Sequence, residues 1–76
     1  MVEITFKEDL DVTQYVHLKH ILEQFLIERK IPFTIHISTQ KSSMFIESLH
    51  VRPLIKEIKK LLDKEKIEFE ILIKDR

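Results

Sequence analysis

Apolar and polar residues alternate from the start of the chain. Val2, Ile4 and Phe6 fall on one side and Glu3 and Thr5 on the other, which predicts a half-buried strand. At Asp11-Val12-Thr13-Gln14 the period changes. Asp11 reads as an N-cap with Gln14 three residues on, a capping-box start to a helix that runs to about Lys30. Turned by ~100° per residue, Tyr15, Leu18, Ile21, Leu22, Phe25 and Leu26 fall within an arc of about 140°. Val12, Val16 and Ile27 lie outside that arc. They are expected to tuck under the chain ends or broaden the core contact, the alternative being a small partner-binding ridge. Pro32 ends the helix and biases Ile31 toward extended geometry.

Residues 33–48, FTIHISTQKSSMFIES, carry a second and third alternation. Phe33, Ile35 and Ile37 alternate with Thr34, His36 and Ser38; Met44 and Ile46 then point inward, with Phe45 and Glu47 outward. The two runs agree only across an even-length loop, so a loop over 39–42 sets Ser38 opposite Ser43 and Ile37 opposite Met44. Two-residue primed turns need positive φ, and the chain has neither Gly nor Asn. A longer loop around a type I turn is therefore expected. A second helix starts near Val51 with Pro53 in its first turn, where the missing N–H is harmless. Val51, Leu54, Ile55, Ile58, Leu61 and Leu62 form its apolar stripe, about 120° wide. The last run, IEFEILIK, places Ile67, Phe69, Ile71 and Ile73 inward.

The resulting order is β-α-β-β-α-β in one domain over 1–76. Right-handed crossovers give an α+β fold with a four-stranded antiparallel sheet, order 4-1-3-2, and both helices on one face. The pattern resembles the ferredoxin-like superfold along the whole chain, with no family motif to accompany it. A simple meander with the helices packed elsewhere is the alternative topology.

Composition narrows the function. With 43% of residues apolar, 34% charged and a formal net charge of zero, the chain is globular and carries no overall bias toward polyanions or membranes. It lacks Cys, so neither disulfide nor thiolate-bound metal can staple it. No apolar run approaches the ~20 residues of a membrane span, and the acidic, strand-like start is unlike a signal peptide. A cytoplasmic setting is expected if the chain is natural. Gly, Ala, Asn, Cys and Trp are all missing, which motivates a designed or redesigned scaffold with no evolved role as one reading.

The chemistries hosted by the resembling superfold each lack their residues here. Cluster and metal carriers need Cys ligands. Amino-acid-sensing domains use a Gly-bearing first turn, acylphosphatases an Arg in the first turn and an Asn beyond it, and phosphate loops need glycines. RNA recognition on the open sheet face needs aromatics from the central strands. The outward set Glu3, Thr5, Phe45, Glu47, Glu68, Glu70 and Leu72 offers one Phe among four carboxylates, which disfavours a phosphate backbone. DLDVTQ has Gln14 and His20 where a calcium loop needs Gly and Glu, so capping explains Asp9 and Asp11 better. His17 and His20 have a spacing that suits a shared metal, but only Glu23 and Gln24 lie nearby in sequence. His36 and His50 have no sequence neighbour to make either a general base. No enzyme, cofactor or metal is expected.

What remains is interaction. The strand 33–38 is an edge in the expected order and has no Lys, Pro or bulge to discourage pairing. The expected function is a non-enzymatic interaction module whose partner is a protein or a second copy, with Thr34, His36, Ser38, Phe45 and Leu72 as contacts. The other candidate is a basic patch on the second helix, Arg52, Lys56, Lys59, Lys60 and Lys64. It would suit a small viral or plasmid-type inhibitor or a nucleic-acid-binding regulator, although Asp63 interrupts the arc.

Overall fold

The computed structural model describes residues 1–74. Its elements are β1 (Val2–Phe6), α1 (Val12–Glu28), β2 (Thr34–Ser38), β3 (Ser43–Glu47), a 3-10 turn (Arg52–Leu54), α2 (Ile55–Asp63) and β4 (Phe69–Ile73). The strands form one antiparallel sheet in the order β2-β3-β1-β4, the expected order read from the other edge. Registers follow the alternation: Ile4 pairs with Met44 on one side and Ile71 on the other, and Ile37 pairs with Met44 across the hairpin.

One core joins the sheet to both helices. Val2, Ile4, Phe6, Met44 and Ile46 from the sheet cluster with Tyr15, Leu18, Leu22, Phe25 and Leu26 of α1 and Ile58 and Leu62 of α2. Full burial of such side chains stabilises by roughly 1.5–3 kcal/mol each. The Phe6 and Tyr15 rings meet edge-on at 5.8 Å, tying the end of β1 to the first turns of α1. The helix stripes therefore sit where their periodicity placed them, with Ile21, Leu54, Ile55 and Leu61 at the half-buried margins.

Several boundaries differ from expectation: α1 stops at Glu28, and β4 begins at Phe69 with Ile67 and Glu68 ahead of it. β2 begins at Thr34, leaving Phe33 half-buried just before it. The second helix opens as a 3-10 turn, with Leu54 N–H bonded to the Val51 carbonyl at 2.9 Å. Pro53, lacking an N–H, occupies that tight turn. The same helix ends at Asp63, because Lys64–Lys66 form the corner leading to β4.

The corners show how a chain without glycine turns. Asp11 accepts from Gln14 N–H at 2.8 Å, and the Gln14 side chain accepts from Asp11 N–H at 2.9 Å, completing the capping box. At the other end of α1, Lys30 takes φ 57°. Lys30 N–H reaches the Ile27 carbonyl and Ile31 N–H the Leu26 carbonyl, the paired bonds of a Schellman motif. Ile31 then packs against the core. Lys66 repeats the left-handed conformation at φ 58° after α2, and Ser42 at φ 50° closes the 39–42 loop. The loop has the expected length and a type I-like bond from Ser42 N–H to the Thr39 carbonyl, but its last residue is left-handed after all. A residue with a Cβ costs roughly 1–2 kcal/mol there.

Ser43 is buried on the sheet's outer face between Ser38 and Thr5, and its Oγ has no hydrogen-bond partner. A buried hydroxyl left unpaired forfeits about 1–3 kcal/mol.

Two outcomes are expected in urea denaturation. Lys30→Gly and Lys66→Gly should each stabilise by about 0.5–1 kcal/mol, because relief of the left-handed strain exceeds the flexibility gained by the unfolded chain. A lower midpoint in both would contradict the left-handed assignment. Ser43→Ala should leave stability unchanged or raise it by up to ~1 kcal/mol; a clear loss would mean that the hydroxyl has a partner.

Candidate functional site

The sheet has two rims, β2 and β4, and the hydrogen-bond phase determines what each exposes. Phe6 N–H donates to the Ser42 carbonyl at 2.8 Å, so even residues of β1 and β3 bond to each other. In an antiparallel ladder the odd residues of β3 must then face β2. Thr34, His36 and Ser38, their register partners, spend their backbone groups on β3. The N–H and C=O groups of Ile35 and Ile37 are left pointing off the rim. The side chains of these isoleucines lie on the core face, Ile35 half-buried and Ile37 36% exposed at its margin.

β2 carries no charged residue, no Pro and an unbroken register. β4 differs. On the outer face Glu70 of β4 meets Lys7 at 3.2 Å, and Lys74, just past β4, meets Glu3 of β1 at 2.7 Å; charges at a rim discourage strand addition. β2 is thus a rim without such charges, whereas β4 exposes Leu72 and Ile73 beside its own.

Across the outer face the register sets His36, Phe45, Glu3 and Leu72 in one row. His36 and Phe45 are direct cross-strand neighbours. Leu72 sits three strand spacings from His36, about 14 Å, and belongs with the β4 rim. Thr34, His36, Ser38 and Phe45 thus form one surface from which Leu72 is separate.

The outer face is also less acidic than its residue list implies. Lys74 Nζ stands 2.7 Å from Glu3 Oε1 and 5.8 Å from the centre of the Phe45 ring. Glu3 is largely covered, its side chain 12% exposed. Glu70 meets Lys7, and Glu47 Oε1 lies 3.4 Å from His36 Nε2. Glu3 and Glu70 thus each meet a lysine, and the half-buried Phe45 lies beside the Lys74–Glu3 pair.

The basic candidates share the α2 side of the molecule. Lys56, Lys59 and Lys60 are exposed on α2, Arg52 is exposed in the 3-10 turn, and Lys64 at the helix end. Asp63 is exposed among them, and Arg29 reaches Glu57 at 3.6 Å. His17 bonds to Glu65 across 3.0 Å, tying α1 to the end of α2, a pairing invisible in the local sequence. Among the described residues no group of three or more His, Asp or Glu is placed to hold a metal ion.

Three placements depart from the first expectation, beginning with Ile73, which was read as inward and is 43% exposed. Val12, Val16 and Ile27 do not tuck beneath anything; they are 70%, 58% and 55% exposed. Leu49 is 93% exposed in the loop after β3, beside a cleft of about 620 Å³ shared with Met1, Pro32, Phe33 and His50. The available signal was position alone: Leu49 is a large aliphatic residue outside every periodic run.

Comparison with family models, curated proteins and solved structures finds no match.

Because Val16 is exposed, Val16→Glu should change folding stability by less than about 0.5 kcal/mol. Thermal unfolding checks this, and a larger loss would place Val16 in a packed contact.

Proposed function

We propose that the protein is a non-enzymatic interaction module, ferredoxin-like in pattern, that self-associates by joining its β2 rim to that of a second copy. The observation carrying this reading is the unspent backbone of Ile35 and Ile37 on a strand with no charge, Pro or bulge. Exposed strand rims of this kind template pairing, and strand addition supplies main-chain hydrogen bonds without a side-chain pocket. The adjoining Ile37, a third exposed, gives apolar area to cover in the same event.

Two other readings draw less support. A polyanion-binding role for the second helix must contend with Asp63 among its lysines and Glu57 beside them. A designed scaffold would place Gly at helix ends such as Lys30 and Lys66, where this chain accepts left-handed lysines.

Sedimentation equilibrium of the full chain should show a monomer–dimer equilibrium. Up to about 1 mM, an association of only ~4 kcal/mol registers. Ile37→Pro removes an N–H that the fold does not use and should weaken the dimer at least ~10-fold, as should Ile37→Lys. Circular dichroism checks that both variants stay folded. A wild-type chain monomeric throughout this range would overturn the reading.

A further inference from the structure

The β2 rim does more than permit a second copy; it selects one register. Antiparallel pairing of two identical strands places a two-fold axis at one position. Hydrogen-bonded pairs must join residues whose backbone groups point off the rim. Here those are Ile35 and Ile37, so pairing Ile35 of each copy with Ile37 of the other uses every free group of both. The axis then passes beside His36. The side chains select the same centre independently. Thr34-Ile35-His36-Ile37-Ser38 is palindromic in character, so each hydroxyl residue meets a hydroxyl residue and each isoleucine an isoleucine.

In that register His36 faces its own counterpart as a non-hydrogen-bonded pair. This is the closer of the two pair types, with Cβ atoms about 4.5–5.5 Å apart. Both imidazoles stand on the outer face, His36 54% exposed. On the side away from the axis, each Nε2 is held 3.4 Å from its own Glu47 carboxylate. A carboxylate standing beside one ring nitrogen favours the tautomer protonated there and leaves the other nitrogen's lone pair free, a support common to metal-bound imidazoles.

We propose that two copies joined at β2 hold a divalent cation of the zinc class between their His36 side chains. Each His36 contributes Nδ1, and Glu47 orients each ring from behind. Water completes the coordination. This assignment rests on the self-association reading above. Imidazole nitrogen favours zinc, copper or nickel over magnesium, which prefers oxygen ligands.

The test is sedimentation of the full chain in EDTA, in zinc chloride and in magnesium chloride, with calorimetric titration of zinc. Zinc should tighten the dimer at least ~10-fold by joining two imidazoles, at one zinc per two chains, and magnesium should have no effect. His36→Gln should abolish the zinc response, read as the ratio of its dimerisation constants in zinc and in EDTA, whatever its metal-free affinity. Glu47→Gln should weaken zinc binding by ~10–100-fold. A dimer in EDTA that zinc does not tighten would overturn the metal site and leave the β2 reading standing. A monomer in every condition would overturn both. Zinc-driven association that persists in His36→Gln would place the metal elsewhere and overturn this assignment.

Discussion

The alternation of side chains across the sheet, held in place by burial of one face, is the constraint on which everything else depends. Val2, Ile4, Phe6, Met44 and Ile46 lie under two helices. A one-residue slip of any strand would exchange that set for Glu, Thr, Ser and Phe45. Because backbone groups alternate with the same period, burial also determines which amides remain at the rim. On β2 the residues facing the helices are those with backbone to spare, so the chemistry of the edge is a by-product of the core. Hydrophobic packing and hydrogen-bond phase are one constraint seen from two directions.

The turns carry a different economy. Without Gly or Asn the chain places Lys30, Ser42 and Lys66 in the left-handed region. The strain at Lys30 is over-determined: two backbone bonds close the helix end, and Ile31 seats against the core. Lysine suits these positions in one respect, since its charge lies near the negative end of the helix dipole. Ser42 has a different support, because its carbonyl receives the Phe6 amide and locks the hairpin to β1.

Much of the fold was legible in the sequence because it is written in local periods. The strands, the two apolar arcs, the Asp11–Gln14 box and the parity of the hairpin loop all depend on residues within a few positions of one another. The topology followed from handedness rules, and with it the position of β2 at the edge. The site was legible only in outline. Which β2 amides are free was implicit in the alternation and is displayed by the bond between Phe6 and Ser42, but the balance of the outer face depends on Lys74 meeting Glu3, and the cover of Glu65 on His17. Such pairings link distant segments and leave no local signature. Helical arcs, likewise, say which residues are apolar but not how wide the neighbouring surface is, so Val12, Val16 and Ile27 were assigned cover that the sheet does not extend to. The left-handed corners were hidden for another reason: the usual residues that flag them are missing.

β1 lies in the middle of the sheet between β3 and β4, and Met1 and Lys74 exchange main-chain bonds at 2.9 and 3.3 Å. Zipping β1 to β4 therefore closes a loop of nearly the whole chain, whose entropy must be surrendered before the pairing returns any energy. Such topologies assemble late and slowly. The same closure covers the second flank of β1, so the central strand keeps no free edge and only β2 and β4 remain at the rims.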